Sequence, residues 1–441
     1  MDITIKNVRE YVVGIDEPVE LSDGTGRPLI NFDNAATTPA LQPVSDEVIK
    51  ELNLYASIGR GFSQKSNHST DLYNSTRKKV LEFLGADPDE YSCVYVSNTT
   101  DGLNKLASAL ISSRDDVVLA TRMEHHSNDL TWRERCHVVY ADVDDMGRLD
   151  LTSLEEKLKK NDVKLVAVTV ASNVTGYIND VHRIASLAHQ HGALIIVDGA
   201  QIVSHRQFSV CAADPDENID FFVFSAHKMY SPFGGGAIVG LTSVLNEHMP
   251  RFYGGGTVRI VADNWQKYKS APSVYEAGSP DYPGIVGMGK AIDILNSIGF
   301  DSIHEHEQIL MKKLFDGLKG FENITIYGDS ADISDRVGVM TFSFPDINSV
   351  ILAEHLAEMG GVATRRGAFC AHTYVWRLMD IPEDDLRGFV KCDDANTPGM
   401  IRISFGIYNT EEEVDAFLNI LQKVLKPARI RTDLTGYKAE Y

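Results

Sequence analysis

Three short stretches put polar or charged residues directly after apolar, strand-like runs, where they would face a site rather than a core. In Ala193-Leu194-Ile195-Ile196-Val197-Asp198-Gly199-Ala200-Gln201 a carboxylate ends an apolar run, and the carboxyl ends of strands are where open α/β sheets bind ligands. An ionised acid there suits a cofactor ring whose nitrogen must stay protonated; an ordinary helix N-cap is the alternative. In Phe222-Val223-Phe224-Ser225-Ala226-His227-Lys228 a lysine ends a second apolar run. Burial makes its charge costly, so it either pairs or is neutralised, for instance by condensing with an aldehyde. A salt-bridged or snorkelling surface lysine is the plainer reading. Gly234-Gly235-Gly236 just beyond allows close backbone approach, and Ser225 and His227 can donate to a phosphate. The third stretch, Tyr95-Val96-Ser97-Asn98-Thr99-Thr100-Asp101-Gly102, opens a helix with an apolar face of Leu103, Leu106, Ala107 and Leu110. Hydroxyls and free amides at a helix start form an anion site, although simple capping by Thr99 or Thr100 produces the same pattern.

Two further stretches could select a reaction. Arg402 stands between Ile401 and Ile403 on a predicted strand, so it points away from its apolar neighbours. Its planar guanidinium suits bidentate capture of a carboxylate, unless it is merely an exposed strand arginine. Thr364-Arg365-Arg366-Gly367-Ala368-Phe369-Cys370-Ala371-His372 sets a thiol among arginines and an imidazole, surroundings that raise the reactive thiolate fraction. A small buried cysteine is the bland alternative.

The elements that must position these groups are α/β in pattern. From about Asn31 to Lys290, β-branched runs alternate with helical patterns, as in a mostly parallel sheet wrapped by helices. Strands are expected at Asp116–Thr121, Lys164–Val170, Ala193–Val197 and Phe221–Phe224, with a helix whose stripe is Val181, Ile184, Leu187 and Ala188. After Phe300 the pattern changes. Val339, Thr341 and Ser343 alternate with Met340, Phe342 and Phe344 as a half-buried strand, and a helix near Val350–Met359 stops at Gly360-Gly361. Thr410-Glu411-Glu412-Glu413 is a capping box, with Val414, Phe417, Leu418, Leu421 and Leu425 on the buried face. The expected division is a large domain over residues 31–290, a smaller α+β domain from 1–30 and 300–426, and an extension over 427–441.

Bulk composition narrows the partners. The 441 residues suffice for a large domain plus a smaller one, and 43% apolar with 24% charged is ordinary for a globular chain. A net charge of −20 disfavours nucleic acid and anionic membrane. Five scattered cysteines (Cys93, Cys136, Cys211, Cys370, Cys392) have neither disulfide-framework nor metal-ligand spacing, so no metal is expected. The start Met1-Asp2-Ile3-Thr4-Ile5-Lys6 lacks a signal-peptide pattern and no apolar run is long enough to span a membrane, making a cytoplasmic protein the expectation.

Together, an anion cradle, a carboxylate and a lysine 30 residues later (228 − 198) make a specific set. The chain resembles fold-type I, class V aminotransferase-like enzymes that use pyridoxal 5'-phosphate, and among them the group II cysteine desulfurases and selenocysteine lyases. The resemblance runs from Asn31-Phe32-Asp33-Asn34-Ala35-Ala36-Thr37-Thr38 to Met400-Ile401-Arg402-Ile403-Ser404. It implies a seven-stranded, mostly parallel sheet and a Schiff base of the cofactor on Lys228. It implies phosphate contacts from Thr99, Thr100, Ser225 and His227, and Asp198 at the pyridine nitrogen. His125, first histidine of Met123-Glu124-His125-His126-Ser127-Asn128, would stack on the ring; otherwise it is a helix-start histidine of no consequence. Asn173 and Gln201 would address the phenolic oxygen. Ser279, in Tyr275-Glu276-Ala277-Gly278-Ser279-Pro280, would reach the neighbouring subunit's phosphate site in a homodimer. Asn34, Arg365 and Arg402 would contact an amino-acid substrate.

By the same resemblance the activity is removal of sulfur from L-cysteine. Lys228 takes the Cα proton, the Cys370 thiolate receives the sulfur as a persulfide, and alanine leaves, with a protein sulfur acceptor as a further partner. A selenocysteine lyase, C–S lyase or epimerase on this scaffold would not need that persulfide. Where the family often reads Asn-x-His-Arg-Gly-x-His, this chain reads Ser57-Ile58-Gly59-Arg60-Gly61-Phe62-Ser63, without either histidine. The segment from His372 to Thr397, carrying Cys392, is longer than in compact members.

Overall fold

Runs that are apolar on both faces form the central sheet, because helices cover it on both sides. The structure, a computed structural model, describes residues 3–59, 61–329, 332–390 and 397–426. The strands are β1 (Tyr91–Val96), β2 (Val117–Thr121), β3 (His137–Ala141), β4 (Val163–Thr169), β5 (Leu194–Asp198), β6 (Phe221–Ser225) and β7 (Gly236–Leu241). Their spatial order is β1-β7-β6-β5-β4-β2-β3, and β7 runs antiparallel to both its neighbours. The expected seven-stranded, mostly parallel sheet is present. Each strand expected from the sequence lies within a residue of its place.

Helix α1 (Thr99–Leu110) packs against this sheet through Gly102, where a Cβ would come within 2.5 Å of Val223. A glycine there brings the helix start close to the end of β6. Helix α2 (Val181–Gln190) buries the expected stripe of Val181, Ile184, Leu187 and Ala188. Two long helices, α3 (Tyr282–Ile298) and α4 (Phe300–Leu318), meet at Gly299, which adopts the positive φ (82°) that lets the chain turn between them. The near end of α4, at Phe300 and Ile303, packs with the large sheet's core; its far end, at Leu310 and Leu314, packs with a second core.

That second core belongs to an antiparallel sheet of β8 (Thr325–Ile326), β9 (Val339–Ser343), β10 (Arg365–Gly367) and β11 (Met400–Ser404), in the order β8-β9-β11-β10. Helix α5 (Ser349–Gly360) ends at Gly361 in the left-handed conformation, as its sequence requires. Helix α6 (His372–Leu378) begins directly after the Cys370 turn. Helix α7 (Glu411–Val424) has the capping box intact; Ile420 and Val424 join Val414, Phe417 and Leu421 inside, while Leu418 and Leu425 are half-buried. The alternating strand at Val339 is buried on both faces rather than one. Met340 and Phe342 pack under its own helices, and Val339 packs with the large sheet's core.

Of residues 1–30, expected in the smaller domain, the described ones, 3–30, are divided between the two cores. Ile3, Val8 and Val12 pack with the large core, Ile30 with the small one, and Arg9 pairs with Glu413 of α7 at 2.9 Å. Among the described residues no helix is long and apolar enough to cross a membrane. Arg60, Cys392 and the extension over 427–441 lie outside the described residues.

Candidate active site

The carboxyl ends of β1, β5 and β6 open on one cavity of about 460 Å³. Its anion end is built from Thr99, Thr100, Ser225 and His227. The Thr99 amide donates to Ser225 Oγ at 2.7 Å, and the two hydroxyls are also 2.7 Å apart. Thr100 Oγ1 lies 2.6 Å from Ser127 Oγ, which in turn lies 3.0 Å from His125 Nδ1. The Ser127 amide donates to that same nitrogen at 3.1 Å, so neutral His125 carries its proton on Nε2. Burial, with Lys228 adding to it, pushes His125 down to about 3 and His227 to about 4. Both rings are therefore neutral at pH 7.

Across the cavity floor stand Asp198, Gln201, Asn173 and Lys228. Close packing of Gly199 on the Phe222 ring sets the turn after Asp198. Asp198 Oδ1 accepts from the Ala200 amide at 2.9 Å, and burial raises its pKa against the pull of that amide and of Lys228. Lys228 is pushed the other way: burial lowers it to about 8 despite the attraction of Asp198. Gln201 Nε2 donates to Ala35 O at 2.9 Å, and Asn173 Nδ2 to Phe369 O at 2.7 Å.

At the mouth are Arg402, Arg365 and Cys370. Arg402 points inward from β11, as its apolar neighbours require, and is buried. Its Nη1 donates to Asn173 O at 2.9 Å and its Nη2 to Asp33 Oδ1 at 3.0 Å, while its buried Nε has no partner among the described residues. Arg365 Nη1 is 3.8 Å from the other oxygen of Asp33. The Cys370 thiol is free and the residue exposed. Phe369 and Cys370 both adopt left-handed φ values, 51° and 54°, a conformation costing about 1–2 kcal/mol per non-glycine residue. Of the other described cysteines, Cys93 and Cys136 are buried and Cys211 is half-buried.

Two expected residues lie elsewhere. Asn34, expected to contact substrate, is buried outside the cavity lining. Its Nδ2 faces Asn31 O, Ser404 O and Asn409 Oδ1 at 3.0, 3.0 and 3.2 Å, and its Oδ1 accepts from Tyr408 at 2.8 Å. Both its amide nitrogen and its carbonyl oxygen are engaged by protein groups, so it ties the end of β11 to the segment around Asn31 instead. Ser279 is exposed on a second concavity of about 760 Å³, together with Ser57, Ile58, Gly59, Arg77 and Glu276.

The model of the family described as Aminotransferase class-V matches residues 30–417. The chain belongs to the class-V aminotransferase family. A cysteine desulfurase of Haloferax volcanii is 35% identical over 417 residues, covering 92% of each chain. One of Escherichia coli (strain SE11) is 33% identical, covering 93% of this chain and 97% of its own. The solved apo structure of a cysteine desulfurase from Thermococcus onnurineus superposes with a TM-score of 0.80 at 30% identity, covering 90% of this chain and 94% of that one.

Class-V aminotransferase-family enzymes use pyridoxal phosphate, and this chain is such an enzyme. The residues present fit that group. A lysine titrating near 8 keeps part of its amine neutral at pH 7 and can condense with an aldehyde. Asp198 has a second oxygen without a hydrogen-bond partner among the described residues, and the helix start beside Ser225 suits a phosphate.

Sequence reasoning missed several residues. Asp33 joins the two cavity arginines, and Ser127 ties Thr100 to His125. Glu124 is fully buried behind β4: it accepts from Thr121 Oγ1 (2.6 Å), Asn128 Nδ2 (2.6 Å) and the Thr169 amide (3.1 Å). Burial outweighs these three donors and, with Asp198 nearby, pushes Glu124 up to about 8. Glu124 and Ser127 stand on either side of the two histidines in the sequence; that adjacency was the available signal.

The long segment after Cys370 forms α6 and a short helix, Glu383–Phe389, before the undescribed residues 391–396. Tyr374, Val375 and Trp376 of α6 pack with Met123, Val174 and Phe369. The segment therefore buttresses the Cys370 turn.

Proposed function

We propose that this chain is a pyridoxal-phosphate-dependent L-cysteine desulfurase in which Cys370 receives the sulfur. One observation carries the reading: an exposed free thiol, a buried arginine and a lysine of lowered pKa line the same cavity. When bound, the cofactor supplies an electron sink for the bonds around the substrate's Cα. Thr99, Thr100, Ser225 and His227 would hold its phosphate, His125 would cover its ring face, and Asp198 would keep a proton on its ring nitrogen. Asn173 and Gln201 would address its phenolic oxygen.

Arg402 binds the substrate carboxylate, with Arg365 beside it, and so fixes the substrate Cα over Lys228. The freed Lys228 amine takes the Cα proton. Cys370 thiolate attacks the substrate sulfur, forming an S–S bond as the Cβ–S bond breaks. The electron pair of the broken bond stays with Cβ, which takes up a proton, Lys228 returns a proton to Cα so that alanine leaves, and Cys370 keeps the sulfur as a persulfide. Exposure of Cys370 leaves that sulfur within reach of an acceptor protein's thiol.

We also read the molecule as a cytoplasmic homodimer, with Ser279 reaching the partner's phosphate site, and the domain division as large and small bodies meeting at this cavity. Product analysis with cysteine tests the activity. Alanine with sulfide supports the desulfurase; pyruvate with ammonia replaces it with a lyase.

A further inference from the structure

The turn that carries Cys370 is conformationally costly. Two successive non-glycine residues, Phe369 and Cys370, sit in the left-handed region, and such geometry persists only where neighbours over-determine it. From the cavity side, Asn173 Nδ2 holds Phe369 O at 2.7 Å, and the Arg402 guanidinium lies 5.1 Å from the Phe369 ring centroid. On the opposite side, besides the packing of α6, the turn is held by polar contacts from His126, which does not line the cavity.

His126 grips this turn at two points. Its backbone amide donates to Cys370 O at 2.6 Å. Its ring Nε2 accepts from the backbone amide of His372 at 3.4 Å. That amide is the first of α6 and has no intrahelical acceptor, so the ring caps it from 246 residues away. The rings of His126 and His372 also pack edge to face, with centroids 4.5 Å apart, and the His372 ring rests against Trp376 at 5.4 Å.

We infer that His126 is a positioning residue for the nucleophile: as a neutral ring accepting at Nε2, it locks the Cys370 turn to the start of α6. The inference rests on the reading of Cys370 as sulfur acceptor, and it assigns His126 no contact with substrate or cofactor. Because Nε2 must accept, the lock requires the unprotonated ring. A protonated ring would turn an N–H toward the His372 N–H and break the bond.

The groups facing His126 keep it neutral. His125 precedes it, His372 and Cys370 face it from the turn, and Asp129 and Arg133 lie on the following turn and helix. Asp129, the sole carboxylate among these, is spent on Arg133 (both contacts 2.7 Å) and on the Tyr140 hydroxyl (2.7 Å). Burial and the neighbouring His372 hold His126 below the ordinary histidine range.

The test compares His126→Phe, which keeps a ring beside His372 but loses the acceptor, with His126→Gln, whose side-chain carbonyl can accept. Two readouts are taken on cofactor-loaded protein: hydrogen exchange at the His372 amide, and kcat and KM for sulfide release from cysteine. In His126→Phe we expect exchange to quicken and kcat to fall, each about three- to tenfold, the worth of one hydrogen bond. KM should stay within about twofold, since Arg402 is untouched. His126→Gln should restore both readouts toward wild type. If the phenylalanine variant does not fold, wild type against His126→Gln decides. After correction for intrinsic exchange, the wild-type amide should loosen on acidification to pH values below the ordinary histidine range, and the glutamine variant's should not. Wild-type exchange and kcat in His126→Phe, no recovery in His126→Gln, or identical acid behaviour in the two would each overturn the inference. Should wild type release no sulfide, the desulfurase reading fails while the exchange measurements still decide the lock.

Discussion

Arg402 Nη2 and Asp33 Oδ1 are 3.0 Å apart, and this pair spans the cavity mouth from β11 to the segment just after residue 30. Asp33 also faces Arg365, so it orients both cationic groups while Arg402 Nε has no partner among the described residues. Replacing Arg402 by lysine keeps the charge but loses the planar fork. We expect Arg402→Lys to raise KM for cysteine roughly thirtyfold, about 2 kcal/mol of carboxylate binding, with a smaller change in kcat. Unchanged KM in steady-state assays would remove Arg402 from substrate binding.

The strand-end groups were legible because their signal is local: an apolar run followed at once by Asp198, or closely by Lys228, needs no knowledge of the rest of the fold. The failures are long-range. Asn34 reads as an available amide until Ser404, Tyr408 and Asn409, some 370 residues away, consume it. Asp33 is likewise invisible as the partner of an arginine 369 positions on. The alternation at Val339–Phe344 suggests one wet face, but the large sheet's core packs on Val339 from that side, and no periodicity within the strand reports on elements so distant in sequence.

Glu124 carries a pH signature. Folded, it keeps its proton up to about pH 8, whereas an unfolded glutamate titrates near 4.5. Between those values the folded chain binds the extra proton, so this contribution to stability is complete below about 4.5 and lost as pH rises through 8. Glu124→Gln has no such proton to lose. From pH 6 to 9, urea unfolding should show wild type losing on the order of 2 kcal/mol relative to the variant. Parallel pH curves would mean Glu124 is ionised in the folded state.

Ser279 is exposed, away from the cavity that Lys228 lines. If it completes the partner's phosphate site, Ser279→Ala should increase cofactor loss on dialysis several-fold while leaving the dimer intact by light scattering. A wild-type monomer with full cofactor occupancy would contradict the shared site.

Lys228 should show its depressed pKa in cofactor uptake. Only the neutral amine condenses with an aldehyde, so uptake at fixed cofactor concentration should rise with pH, with a midpoint near 8. The Asp198 charge holds a proton on Lys228, and removing it in Asp198→Ala should move the midpoint lower. Borohydride trapping followed by peptide mass analysis reads both. An adduct on another lysine, or an uptake midpoint above 10, would defeat this assignment.

Cys370 separates sulfur removal from everything that precedes it. Cofactor attachment needs Lys228 and carboxylate capture needs Arg402; neither touches the thiol's chemistry. Cys370→Ser should therefore load cofactor and bind cysteine as wild type does, yet release sulfide at less than about a hundredth of the rate, because a hydroxyl is a far weaker nucleophile than a thiolate at neutral pH. Wild type exposed to cysteine without reductant should carry one extra sulfur on the peptide containing Cys370. Selenocysteine would still turn over in the variant if selenide leaves without a thiol's help, and that contrast marks the thiol as specific to sulfur. Wild-type sulfide release by Cys370→Ser would give the reaction to a lyase mechanism. An extra sulfur found on Cys392 would move the acceptor into the segment beyond α6.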